Sequence, residues 1–333
     1  MNITMTTPTH PSISVIIPTF NRKQSLLCTL ESLRHQTYPV EKFEGIVVND
    51  GGDDVSHHIA DTNFPFRLRL CRQTNQGAAA ARNYAARQSA AEVLVFIDDD
   101  ITLEPGYLAA VAQKTAPGVL TMGSWLPFIP PGASVFTRTV ARSAMQIVQT
   151  DDQDVPFTEC TSNNLAICRT DFFQLGMWQD LLGDGPSLWA DLAFGYVAWK
   201  SGRCFRRIAD ARLTHRDTHV VSLSSATRRA YHVANISQPL LHQYPEIRGH
   251  LSMFRNKAPI NWRQDSLRLV VRKLCCQIGW SSPAMLLMEH SVSRLERLAP
   301  ETQLLNLLYR WIISGYIYRG YRDGLREIRQ GTP

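Results

Sequence analysis

Short apolar runs alternate with helical spacings through the first third of the chain. Ile13-Ser14-Val15-Ile16-Ile17 is rich in β-branched residues and stops at Pro18, the pattern of a strand. Between Arg22 and Gln36, Leu26, Leu27, Leu30 and Leu33 share one face at helical spacing. Gly45-Ile46-Val47-Val48 predicts a second strand, closed by the turn signal Asn49-Asp50-Gly51-Gly52. Leu68-Arg69-Leu70 predicts a weak third strand and Asn75 to Ala91 an Ala-rich helix. Val93-Leu94-Val95-Phe96-Ile97 predicts a fourth, buried strand. This alternation describes a parallel sheet with crossover helices, which binds ligands beyond the carboxyl ends of its strands. Thr19-Phe20-Asn21, Asp50 and Asp98-Asp99-Asp100 all fall at those ends.

The pattern then changes twice. Residues 106–221 alternate less regularly, with Pro/Gly-rich loops and Asp/Asn clusters, and from 222 onward the spacing is mostly helical. The expected organisation is a flexible tail at 1–10, halves of one α/β domain at 11–105 and 106–221, and a helical region at 222–333. Charge follows the same division. The net charge of +6 conceals 19 Lys/Arg against 22 Asp/Glu in residues 1–221, and 16 against 7 in residues 222–333. The basic character belongs to the last third, which implies a separate task there.

At 44% apolar, the 333 residues can bury a substantial core. Seven scattered cysteines without a CxxC pair argue against a disulfide framework or structural zinc and for a reducing compartment. Met1 to Pro11 lacks an apolar signal segment, and the longest uncharged stretch, 115–137, is broken by four prolines. The stretch between Lys273 and Glu289 is too short to span a bilayer comfortably. The expectation is a cytoplasmic protein, soluble or peripheral on the inner membrane face.

Three adjoining carboxylates at the end of a buried strand repel one another and are costly to desolvate unless they share a cation. Oxygen ligands favour Mg²⁺ or Mn²⁺, which keep waters and grip substrate phosphates. An acidic strand-to-loop turn is the alternative for this motif taken alone.

Five segments in order resemble family 2 glycosyltransferases. Ser14-Val15-Ile16-Ile17-Pro18-Thr19-Phe20-Asn21-Arg22 resembles the opening strand and loop, and Val47-Val48-Asn49-Asp50-Gly51 the VDDGS turn with Asn at its first acidic position. Asn75-Gln76-Gly77 through Ala81-Arg82-Asn83 matches N-x-G-x-x-x-A-R-N, and Asp98-Asp99-Asp100 fits DxD. Asn163-Asn164-Leu165-Ala166 to Arg169, then Leu175-Gly176-Met177-Trp178, is similar to N-L-A-x-x-R…G-x-F. The resemblance covers about residues 12–220. It implies an α/β GT-A fold, a Rossmann-like mixed, mainly parallel sheet flanked by helices, with a helical C-terminal extension. It also implies an inverting, metal-dependent hexosyltransferase-like enzyme.

Carried onto this chain, the resemblance assigns nucleotide-sugar contacts to Pro18, Thr19, Phe20, Asn21, Arg22, Asp50, Gly51, Asn75, Gly77, Arg82, Asp98 and Asp99. It assigns Asp100, with Asp98 and His215, to Mn²⁺ or Mg²⁺; His219 is a weaker candidate. Asp50 stands where it can accept a hydrogen bond from a base N–H, and uracil N3–H is one such donor. Aligning Gly195-Tyr196 and Gly202 with the family's E-D-x-E-L-G-Y-R-L-x-x-x-G places Ala190-Asp191 on its acidic pair. Asp191 then stands as the general base, with Ala190 replacing the usual Glu. Trp189 and Asn164 are the acceptor-side candidates; Asp151, Asp152 and Asp154 are expected in a solvated loop.

The implied donor is a nucleotide sugar, UDP-linked first, and the implied acceptor is the hydroxyl of a glycan or lipid-linked substrate in cell-surface glycan synthesis. A non-catalytic scaffold with a degenerate GT-A fold is the alternative, supported by Ala190 and opposed by Asp50, Asp98, Asp100 and Asp191. No P-loop, GxGxxG, zinc finger or RNP signature supports nucleotidyl transfer or nucleic-acid binding. Leu304, Leu305, Leu307, Leu308, Trp311, Ile312, Ile313, Tyr316, Ile317 and Tyr318 precede Arg319, Arg322, Arg326 and Arg329, which share a helical face. That combination predicts docking on an anionic membrane, with packing on the catalytic domain or a second subunit of a homodimer as the competing outcome.

Overall fold

The computed structural model describes residues 10–53, 59, 62–145, 150–179, 189–216, 221–255 and 257–329. Two compact units divide the chain: residues 1–126 with 148–216, and residues 127–147 with 217–333. Among the described residues, the first unit contains a nine-stranded sheet. Its strands are β1 (Ile13–Thr19), β2 (Phe43–Asp50), β3 (Arg67–Gln73), β4 (Val93–Ile97), β5 (Ile101–Leu103), β6 (Val119–Leu126), β7 (Gln153–Asp154), β8 (Asn164–Cys168) and β9 (Cys204–His215). They run in the order β3-β2-β1-β4-β8-β6-β9-β5, with β7 on β9.

β1 pairs in parallel with β2 and β4, and β2 in parallel with β3. Every residue of β1 and β4 is buried, the signature of strands covered on both faces, and it explains their unbroken apolar runs. Helices Lys23–Arg34 and Ala78–Gln88 follow the predicted spacings, the second beginning three residues after Asn75. β8 enters antiparallel to β4, and β6 and β9 pair in parallel, so the sheet is mixed. Its core packs Leu26, Leu30 and Leu33 against Val15, Ile17, Val47 and Val95.

The second unit is helical among its described residues. Helices Leu223–Asn235 and Gln303–Arg329 cross closely: a Cβ at Gly320 would stand 2.1 Å from the Tyr231 carbonyl oxygen, and one at Gly324 2.2 Å from that of Asn235. Phe136, Trp280, Met285, Leu305, Tyr309 and Ile312 form the core of this unit. This bears on the packing alternative for residues 304–318. Leu305, Tyr309 and Ile312 recur at helical spacing on the side that meets neighbouring helices, so they are interior, and of the apolar residues in that stretch Leu304, Leu307 and Trp311 are exposed. The Arg329 side chain lies outside the described residues.

Asp151 to Asp154 is also more ordered than expected. Asp154 lies in β7 and pairs with Arg206, while Asp152 accepts the Ala209 N–H at 3.0 Å and lies 2.9 Å from Lys114 Nζ. Among the described residues no helix is long and apolar enough to cross a membrane.

Candidate active site

The carboxyl ends of β1, β2 and β4 open on a cleft of about 330 Å³ lined by Thr19, Arg22, Asp50, Asn75, Arg82 and Asp98, among others. Pro18, Phe20 and Asp99 line it too, and Phe20 is exposed. Thus nine of the positions the sequence assigned to nucleotide-sugar contact border one opening. Asn21 adopts a left-handed φ of 54° and its Oδ1 accepts the Asp53 N–H at 2.7 Å, so it shapes the loop. Gly77, at φ 86°, turns the chain into helix Ala78–Gln88 where an L side chain would be strained.

Asp50 is buried and already serves three donors. Its Oδ1 accepts from Gln73 Nε2 at 2.7 Å and the Gln76 N–H at 2.9 Å, and its Oδ2 from the Gly77 N–H at 2.9 Å. The carboxylate therefore holds the loop before the Ala-rich helix, leaving little acceptor capacity for a base. Gln73 was not legible in this role.

The three consecutive aspartates have three different environments. Asp98 pairs with the buried Arg82, whose Nε has no partner among the described residues. Asp99 is 3% exposed; Thr19 donates to its Oδ2 at 2.7 Å and Arg22 to its Oδ1 at 3.0 Å. Burial pushes its pKa up to about 6, against the pull of Thr19 and Arg22. With both oxygens engaged, Asp99 fixes the loop and Arg22 at the edge of the cleft. Thr29 adds a hydroxyl donor to the Asp99 carbonyl, a contact the sequence did not announce.

Asp100 is different again. Arg22 donates to its Oδ2 at 2.8 Å, and its buried Oδ1 pairs with His215 Nε2 at 3.2 Å. Burial alone would raise its pKa; His215 and Arg22 outweigh that and hold it below the usual carboxylate value. His215 is the last residue of β9, set opposite Ile101 of β5, with its ring 5.8 Å from that of Trp125. Among the described residues no three His, Cys, Asp or Glu side chains gather as a ready-made metal cage. A carboxylate oxygen and an imidazole nitrogen facing each other at this distance nevertheless suit two adjacent positions around a hard cation whose other ligands are waters and phosphate.

Helix Ala190–Lys200 carries Asp191 in its first turn, after Trp189 at a left-handed φ of 75°. The Ser162 N–H donates to Asp191 Oδ2 at 3.3 Å. Burial raises the Asp191 pKa; the Ser162 N–H and Arg82 oppose the rise and Asp98 adds to it, so this carboxylate belongs to the same electrostatic site. Ala190, in place of the family's Glu, is buried. Ser162 had no sequence signal as a partner of Asp191.

Asn164 is a correction. It is 1% exposed, donates to the Gly123 carbonyl at 2.8 Å and accepts from the Gly123 N–H at 2.7 Å and the Tyr107 hydroxyl at 3.1 Å. It staples β8 to β6 and presents nothing to an acceptor. Asn83 does comparable work, clamping the Trp178 backbone at 2.7 and 3.0 Å. His219 lies outside the described residues.

Residues 14–126 match the glycosyl transferase family 2 model, and this segment belongs to that family. Glycosyltransferase AglE of Haloferax volcanii is 32% identical over 146 residues, 42% of this chain and 48% of that protein. Validoxylamine A glucosyltransferase of Streptomyces hygroscopicus subsp. jinggangensis is 34% identical over 127 residues, 36% of this chain and 30% of that protein. The chain thus spans less than half the length of these relatives. Among solved structures, mannosyltransferase PcManGT from Pyrobaculum calidifontis in complex with GDP-Man and Mn²⁺ aligns with a TM-score of 0.57 at 19% identity, over 95% of this chain and 89% of that one. The fold is that of GT-A glycosyltransferases, extended by a helical C-terminal region.

Proposed function

We propose that the chain is an inverting glycosyltransferase that moves a sugar from a nucleotide-sugar donor to a hydroxyl acceptor. The observation that carries this reading is the pairing of the buried Asp100 Oδ1 with His215 Nε2 at 3.2 Å, beside a cleft lined by two arginines. Asp100 and His215 would hold Mn²⁺ or Mg²⁺, which when bound supplies Lewis-acid neutralisation of the leaving diphosphate. Arg22 and Arg82 add fixed positive charge and guanidinium donors at the same opening. Asp98 orients Arg82, and Thr19 with Asp99 orients Arg22. Asp191 accepts the proton of the acceptor hydroxyl as its oxygen attacks the anomeric carbon from the side opposite the diphosphate. A carboxylate with a raised pKa is the better matched base near neutral pH. The relatives' names include a glucosyltransferase, and the aligned structure holds GDP-Man, so UDP and GDP sugars are both tested. Purified protein with Mn²⁺ should bind one nucleoside diphosphate and slowly hydrolyse its sugar conjugate. EDTA and Asp100→Ala should each weaken that binding about 10–100-fold; equal affinity without metal would exclude this role for Asp100.

The same reading includes peripheral attachment to an anionic membrane, through a face other than the one the sequence suggested. Leu267, Val271, Leu274 and Ile278 are all exposed on helix Leu267–Gly279, at spacings of four, three and four. Arg268 and Arg272 stand exposed on the same helix, while Asp265 beside it is tied to Lys273 at 2.6 Å. An apolar stripe edged with exposed arginines complements an anionic interface. Phosphatidylglycerol vesicles should sediment the protein at low salt and release it at high salt. Protein that stays in the supernatant as a dimer would assign the stripe to a second copy.

A further inference from the structure

Arg319, Arg322 and Arg326 of the C-terminal helix border a cleft. They line an opening of about 590 Å³ in the helical unit, together with Trp280, Tyr316 and Tyr318. This volume is typical of small-molecule sites. The charge is poorly balanced. Arg326 has Asp323 at 3.4 Å, but among the described residues neither Arg319 nor Arg322 has a carboxylate partner. Aromatic faces hold them instead, with Arg319 5.4 Å from the Tyr316 ring centroid and Arg322 5.3 Å from that of Tyr318. Arg322 Nη1 also donates to the Tyr318 hydroxyl at 3.2 Å, and stacking leaves the other guanidinium N–H groups as donors.

Two further donors meet the same opening. Ser281 and Ser282 line it, and they begin the seventeen-residue helix Ser282–Leu298. That helix has no side-chain cap and no acidic residue in its first turn, so its N-terminal N–H groups and positive dipole end are uncompensated. Trp280 is 4% exposed, and its indole Nε1–H is buried without a hydrogen-bond partner among the described residues. A buried donor left unpaired is costly, and it calls for an acceptor that a ligand can supply.

We propose that this cleft binds a phosphoryl group, separately from the donor diphosphate. Arg319 and Arg322 supply the charge, the start of helix Ser282–Leu298 supplies backbone N–H groups, and Trp280 Nε1 donates one hydrogen bond. Tyr316 and Tyr318 flank the position where the organic part of a phosphate ester would lie. The phosphoryl group belongs either to a free phosphorylated small molecule or to a lipid headgroup.

The test uses the full chain with inorganic phosphate, glycerol 3-phosphate and phosphatidylglycerol vesicles as probes. Phosphate at millimolar concentration should raise the melting temperature of the wild type, beyond chloride at matched ionic strength. Arg319→Gln with Arg322→Gln should weaken the response at least tenfold, and Trp280→Phe, which keeps the ring and removes the N–H, severalfold. Nucleoside diphosphate binding at the sheet edge serves as the folding control. Loss of the phosphate response with vesicle binding intact assigns the cleft to a free phosphate ester; loss of both assigns it to a headgroup. No response in the wild type, or an equal response in the folded double variant, overturns the proposal.

Discussion

The two units treat surplus charge in opposite ways. At the sheet edge, Asp98, Asp99 and Asp100 face Arg22 and Arg82, and each arginine is engaged by a carboxylate. The remaining carboxylate oxygen, Asp100 Oδ1, faces a histidine and no arginine. In the helical unit the imbalance is positive: Arg319 and Arg322 rest on tyrosine rings, and Lys257 lies buried over Trp280, its Nζ 5.3 Å from the ring centroid. Unmatched charge in a folded protein is either a stability cost or a place kept for a ligand of opposite sign. On that rule the first unit awaits a cation and the second an anion.

The largest expected effect lies in the first unit. Asp191→Asn keeps the side chain's shape and an oxygen for the Ser162 N–H, yet removes the group that accepts a proton. Turnover should fall about 10²–10⁴-fold, with nucleoside diphosphate affinity and melting temperature nearly unchanged. The pH profile sharpens the point. Since the active form is the carboxylate and burial raises its pKa, wild-type activity should decline on the acid side at a pH above the ordinary carboxylate range. A variant retaining more than about a tenth of wild-type turnover would remove Asp191 from the base role.

A smaller effect is expected on the apolar stripe of helix Leu267–Gly279. Leu267→Ser with Ile278→Ser removes two of its most exposed apolar side chains. Full burial of such a side chain is worth about 1.5–3 kcal/mol, so vesicle partition should drop about tenfold or more. The phosphate response of the arginine cleft should survive. If the two responses vanish together, the stripe and the arginine cleft of the helical unit form a single membrane-binding surface.

How much of this was legible depended on whether local pattern carried the information. β1, β4 and the leucine helix after β1 were readable because period and composition agree with their burial. The cleft's membership was readable because parallel topology delivers strand ends to one edge. What the sequence hid was the division of labour inside it. Asp98, Asp99 and Asp100 look alike in a string, but adjacent side chains on a turn point different ways, so one meets Arg82, one Thr19 and Arg22, and one Arg22 and His215. Asn164 looked exposed to substrate because it sits in a quoted motif, whereas tertiary pairing of β8 with β6 makes it a staple. The arginine run from 319 was legible only in part: its spacing shows a shared face, and only the packing shows what that face borders.

The smallest predicted effect tests whether every unmatched cation in the helical unit is kept for a ligand. Lys257 is 5% exposed, and burial lowers its pKa from the ordinary 10.5 to about 8. Neighbouring Arg272 adds to the fall and Cys276 opposes it. Between these two values the unfolded chain binds more protons than the folded one, so this group's contribution to stability rises with pH. It is complete above the unfolded value and is lost as pH falls through about 8. At pH 7 the buried ammonium is therefore a liability, partly offset by its position over the Trp280 ring. Lys257→Met fills similar space without charge and should stabilise the protein by about 1–2 kcal/mol at pH 7, the advantage shrinking as pH approaches the unfolded value. Urea denaturation at pH 7 and pH 9.5 measures both. A variant less stable than wild type at pH 7 would show that the ammonium's contact with Trp280 outweighs its desolvation, and would make Lys257 part of the cleft's support.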